Sequence, residues 1–142
     1  MLVHQAEQPL IHAFADALHY VHAHGGFHRD FKPDNVLVSP NKECILGDFG
    51  LGNAPGCTHN FTNSVCGTPG YAAPELETLG ASGAADMYSL GATLFHLITG
   101  EHPKRTRTFD LSKVIKGVPQ VDVRELILEL TRPKPDDRPT AL

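Results

Sequence analysis

The sequence predicts a mainly α fold, an α+β chain in which helices dominate and one small β-hairpin supplies the strands. Three observations predict it. Apolar residues recur at helical spacing from about Leu10 to His24 and again from about Ala84 to Thr99. Two short apolar runs between them flank a Pro-Asn turn. The chain has 142 residues and is 41% hydrophobic, which suits a single domain around one core.

The first helix places Leu10, Phe14, Ala17, Leu18 and Val21 on one face and His12, Asp16 and His19 on the other. Gly25-Gly26 ends it, because glycine accepts the left-handed geometry of a helix C-terminus. Asn35–Ser39 and Cys44–Leu46, joined through Pro40-Asn41-Lys42, read as the hairpin. Gly47–Gly70 is glycine-rich and aperiodic, a long loop of the kind that usually serves a function. In Ala84–Thr99, the residues Met87, Leu90, Leu94, Phe95, Leu97 and Ile98 form an arc too broad for a surface helix. That segment is expected to be the central helix. Glu101–Asp110 reads as a polar, basic linker. A short helix is expected over Leu111–Lys116, and a clearer one over Val123–Thr131 with Val123, Leu126, Ile127 and Leu130 inward. Arg132–Leu142 is rich in proline and aspartate.

Twelve basic residues against sixteen acidic ones give a net charge of -4, with no electrostatic footprint for nucleic acid or an anionic membrane. No apolar run approaches the ~20 residues of a bilayer span, and Met1–Pro9 lacks the features of a signal peptide. Cys44, Cys57 and Cys66 are odd in number and form no C-x-x-C pair, so neither a disulfide framework nor a zinc ribbon is suggested. Cys66 reads as a small packing residue. The expectation is a soluble protein of the reducing cytoplasm, with no nucleic-acid or membrane partner. His19, His22 and His24 cluster, but no cysteine or carboxylate at zinc spacing accompanies them, and His19 and His22 fall on the polar helix face.

The residues that carry chemistry begin at His28-Arg29-Asp30-Phe31-Lys32-Pro33-Asp34-Asn35. Asp30 can accept a proton or orient a hydroxyl, Lys32 can set a positive charge over the same point, and Asn35 offers a neutral oxygen to a hard cation. Phosphoryl transfer asks for that set, because it needs charge stabilisation and alignment more than covalent help. After the second apolar run comes Asp48-Phe49-Gly50. Alone it also reads as a plain turn. A hairpin of this length, however, can bring Asp48 back beside Asn35, so that a carboxylate and an amide share one metal.

These two motifs, followed by Ala73-Pro74-Glu75, have an order and spacing that resemble the eukaryotic-like protein kinases. Gly67-Thr68-Pro69-Gly70-Tyr71-Ala72-Ala73-Pro74-Glu75 looks like the serine/threonine branch, and its bacterial members most of all. The resemblance covers nearly the whole chain. It implies that residues 1–142 are a partial kinase domain, the helical C-terminal lobe from the helix before the catalytic loop to the Arg138 region, with the N-terminal lobe absent.

The resemblance also implies roles. Asp30 would orient the substrate hydroxyl and receive its proton, Lys32 would neutralise the transferring phosphoryl group, and Asn35 and Asp48 would hold magnesium. ATP and Mg2+ are the implied cofactors, with Leu37 as the floor under the adenine. Thr68 would bridge the catalytic loop to the substrate-binding segment. His28 and Phe49 would stack in the hydrophobic column that links the lobes. Glu75 and Arg138 would form a buried ion pair. Asp86 would bind the backbone of the catalytic loop, and could cap its helix as well. Ser64, with Thr62 or Thr58 as substitutes, matches the activation-loop phosphorylation position, and Arg29 would receive that phosphate.

The implied activity is transfer of the ATP γ-phosphoryl group to serine or threonine hydroxyls of a protein substrate. The sequence contains no Gly-rich loop and no Val-Ala-x-Lys strand, so the expectation is a kinase fragment, inactive in isolation without the N-lobe. The alternative is a non-catalytic docking or scaffold module. A small-molecule phosphotransferase fits less well, since Thr68 and Ala73-Pro74-Glu75 belong to a peptide-binding platform.

Overall fold

The computed structural model describes residues 2–41, 44–46, 68–103 and 121–141. The expected helix Leu111–Lys116 lies outside them, as do Asp48, Phe49, Cys57, Thr58, Thr62, Ser64 and Cys66. Within them the molecule is mainly α with one antiparallel hairpin, as the periodicities predict.

Helix α1 spans Leu2–Ala23 and runs through Pro9, so it begins upstream of the expected Leu10. Proline removes one helical hydrogen bond, and here the turns on either side carry the helix past the missing donor. Phe14 and Leu18 are fully buried, Ile11 nearly so, and His12, Asp16 and His19 are exposed. The C-terminus is closed by a Schellman motif: Gly26 N–H reaches Val21 O (3.1 Å) and Gly25 N–H reaches His22 O (3.1 Å). Gly25 takes the positive φ (80°) that this motif requires.

A loop then leads to a 3-10 turn at Pro33–Asn35, with Pro33 at its first position. Strand β1 (Val36–Val38) follows and pairs with β2 (Cys44–Leu46) in the register Val36↔Leu46, Leu37↔Ile45. Asn35 therefore closes the turn and does not open the strand. Its Nδ2 is committed to Asp30, five residues back, which holds it in the turn.

A short helix α2 (Leu76–Leu79) precedes α3 (Gly83–Thr99). The N-cap of α3 is Ser82, whose Oγ accepts the Ala85 N–H at 3.0 Å. The capping alternative for Asp86 is thus overturned: Ser82 fills it, and Asp86 sits further along the first turn. Gly100 closes the other end with φ 74°. Residues 85–87 and 89–95 of α3 are all buried, so it is enclosed nearly all round, as expected of a central helix. Leu97 departs from that expectation and is exposed.

Helix α4 (Val121–Leu130) buries Val123, Ile127 and Leu130 against α3. The two helices touch at Gly91. A Cβ there would lie 2.7 Å from Thr131 Cγ2 and 2.9 Å from Leu130 Cβ. The core joins Phe14 and Leu18 of α1, Met87, Leu90, Leu94 and Phe95 of α3, the inward face of α4, and Phe31 from the loop. No helix among the described residues is long and apolar enough to cross a membrane.

Candidate functional site

The loop after α1 alternates inward and outward side chains, and that alternation presents Asp30. His28 and Phe31 are both 0% exposed. Phe31 packs edge-on against Phe14 (5.5 Å) and against the His28 ring (6.0 Å). Two plugs on either side of Asp30 therefore fix the backbone between them. His28 Nδ1 accepts the Asp30 N–H at 3.1 Å, so that nitrogen carries no proton.

Four of the residues singled out in the sequence meet around the Asp30 carboxylate. Thr68 Oγ1 donates to Asp30 Oδ1 at 2.6 Å and accepts from Lys32 Nζ at 2.8 Å. Lys32 Nζ also lies 3.6 Å from Asp30 Oδ2. Asn35 Nδ2 donates to the Asp30 carbonyl (2.8 Å) and to Oδ2 (3.2 Å). With its amide nitrogen committed in this way, Asn35 has Oδ1 to offer a cation, and an amide oxygen suits a hard ion such as magnesium. Asp30 is 6% exposed and Asn35 8%, so the group is sheltered, with Lys32 as its more open member.

Beneath the loop, Asp86 binds backbone. Its Oδ2 accepts the His28 N–H (2.8 Å) and its Oδ1 accepts the Arg29 N–H (2.9 Å). Arg29 has φ 73°, a left-handed conformation that costs a non-glycine residue about 1–3 kcal/mol. The paired amide bonds to one carboxylate offset that strain.

A second cluster ties the 68–75 segment to the helical base. Arg138 Nη1 and Nη2 donate to Glu75 Oε1 (2.7 Å) and Oε2 (2.9 Å), a bidentate pair with the arginine side chain fully buried. Its remaining N–H groups reach the carbonyls of Arg132, Pro133 and Ala84. The guanidinium also lies over the Tyr88 ring, 5.1 Å from its centre. Burial pushes the Tyr88 hydroxyl above the usual tyrosine value, with Arg138 pulling it down and Glu75 pushing it up.

Between the two clusters, Ser89 Oγ donates to the Tyr71 carbonyl at 2.7 Å, and the Tyr71 hydroxyl bonds His96 Nδ1. His102 packs edge-on against the Tyr71 ring. Burial, and then the negative charge of Asp34, raise the Tyr71 hydroxyl above its usual value.

The remaining candidates divide plainly. Leu37 sits on β1 and is exposed, as is its cross-strand partner Ile45. Asp48, Phe49, Ser64 and Thr62 lie outside the described residues, so the structure does not bear on the shared cation site or the phosphorylation position. Sequence reasoning missed His22, which it left on the polar helix face: its Nε2 lies 2.8 Å from Asp86 Oδ2. It also missed the Tyr71–His96–His102 group. Helical spacing carries no signal for either, because the partners come from distant segments.

Comparison with known proteins agrees with this geometry. The family described as "Protein kinase domain" matches residues 2–142. Serine/threonine-protein kinase PknJ of Mycobacterium tuberculosis is 48% identical over 95 residues, covering 63% of this chain and 16% of its own length. CBL-interacting protein kinase 2 of Oryza sativa is 35% identical over 134 residues, covering 86% of this chain and 30% of its own. Serine/threonine-protein kinase PLK4 of Nematostella vectensis is 34% identical over 130 residues, covering 85% and 13%. The chain thus spans less than a third of the length of these curated relatives.

Proposed function

Because the chain belongs to the protein kinase domain family and matches its serine/threonine members, we propose that loop 28–35 performs phosphoryl transfer from ATP to serine or threonine hydroxyls of proteins. The observation that carries this reading is the convergence of Lys32, Asn35 and Thr68 on the Asp30 carboxylate. Asp30 accepts the proton of the incoming hydroxyl and aligns its oxygen. The Thr68 hydroxyl already marks where such a group sits, 2.6 Å from Oδ1. Lys32, held by Thr68, places its charge beside the same carboxylate and stabilises negative charge that develops on the phosphoryl oxygens.

Asn35 Oδ1, with Asp48, would hold Mg2+, which when bound neutralises phosphate charge. Leu37 on the open hairpin face supplies an apolar floor for adenine, and the 68–75 segment receives the substrate peptide. His28 and Phe49 contribute to the apolar column between lobes. Phosphorylation at Ser64, or at Thr62 or Thr58, places a dianion for Arg29 to bind and orders the loop. Turnover requires a nucleotide-clamping lobe in addition to these residues, so the 142 residues alone bind ATP weakly and transfer nothing.

The test is transfer of labelled γ-phosphoryl from Mg-ATP to a basic protein substrate. It is run with the chain alone and with the chain joined behind a kinase N-lobe. The joined protein transfers label to serine or threonine, and Asp30→Asn lowers kcat by about 10²–10⁴-fold. A joined protein that binds Mg-ATP tightly but transfers nothing would favour a docking module. Ser64→Ala lowers activity and loop order in the joined protein; full activity with unchanged order would contradict the phosphorylation role.

A further inference from the structure

Asp86 takes a third hydrogen bond that the catalytic loop does not supply. Its carboxylate, 1% exposed, accepts the N–H groups of His28 and Arg29 and also faces Nε2 of His22, 2.8 Å from Oδ2. A carboxylate only accepts, so Nε2 carries the proton. His22 lies in the last turn of α1, a different element from both the loop and α3.

The imidazole is seated on three sides. Phe27 packs edge-on against it at 5.9 Å, and Asp86 holds its tip. On the third side stands Gly83, where a Cβ would lie 3.3 Å from Nδ1. The missing side chain at the start of α3 is what leaves room for the ring. Without His22, Asp86 would be oriented only by the two amides it has to hold. The bond from His22 fixes the carboxylate from outside the loop, as an outer partner fixes the orientation of a ligating group.

We propose that His22 is a positioning residue: it orients Asp86, and through Asp86 it holds the left-handed turn at Arg29 that presents Asp30. Its consequence for catalysis rests on the phosphoryl-transfer reading, but the positioning itself is measurable without any activity.

The experiment is amide hydrogen exchange by NMR on the 142-residue chain. In His22→Leu, exchange at His28 and Arg29 accelerates by about tenfold or more, while Leu90 and Leu94 in the core of α3 keep their protection. His22→Gln, which retains an N–H donor, recovers part of the protection. Imidazole added to His22→Gly restores it at these two amides. Gly83→Ala, which crowds the ring, gives the His22→Leu pattern in milder form. Unchanged exchange at residues 28 and 29 in His22→Leu would overturn the proposal, and so would equal acceleration throughout α3. If His22→Leu does not fold, His22→Gly decides: no recovery with imidazole overturns it. Failure of phosphoryl transfer with the exchange pattern intact would strike the functional reading and leave the role of His22 standing.

Discussion

Arg138 engages every N–H donor of its guanidinium, two with Glu75 and three with backbone carbonyls. Removing one partner leaves the other charge buried, so Arg138→Ala is expected to cost about 3–5 kcal/mol in urea unfolding, and a loss under about 1 kcal/mol would contradict this account. Lysine cannot replace it, since one ammonium cannot reproduce the planar fork. Tyr88 and Tyr71 both hold their protons more tightly folded than unfolded, chiefly through burial. Their contribution is therefore present below the unfolded value of 10.0 and is lost as pH rises through the higher folded value. Tyr88→Phe keeps the ring under Arg138 and flattens the loss of stability above pH 10 in alkaline unfolding curves; an unchanged curve would contradict the assignment. The Glu75–Arg138 pair was legible only through the family resemblance, because 63 residues separate its members. His22 was not legible at all: on a helix projection it is one more polar residue, and only the tertiary fold brings Asp86 to it.

At the scale of elements, α3 organises the molecule, and its two ends and its waist each rest on one small residue. Ser82→Ala removes the bond to the Ala85 N–H and is expected to cost about 1 kcal/mol in thermal or urea unfolding. Gly91→Ala drives a methyl into Thr131 and Leu130 and is expected to cost about 1–3 kcal/mol; a neutral effect would mean that α3 and α4 can separate freely. The enclosed character of α3 could be read from its wide apolar arc, and the α1 terminus from Gly25-Gly26. The start of α1 could not, because Pro9 argues for a boundary while the helix tolerates one missing donor. Asn35 was read as strand for a similar reason. Its neighbours are apolar, but its side-chain bonds to Asp30 draw it into the turn.

For the whole molecule, the site is assembled by convergence. The loop 28–35 supplies Asp30, Lys32 and Asn35, the 68–75 segment brings Thr68 to them, and α1 and α3 hold the loop from below through His22 and Asp86. Phe31 couples this assembly to the core. Phe31→Ala is expected to cost about 3–5 kcal/mol and to loosen the loop together with the fold. The measurement closest to the central idea is paramagnetic relaxation by Mn2+, standing in for magnesium, with ADP present and the loop resonances assigned. A single oxygen-lined site predicts that the Asn35 side-chain amide and the Asp48 backbone amide broaden together at the same Mn2+ concentration, and that Asn35→Ala relieves both. Broadening at one without the other, or at neither, would contradict it.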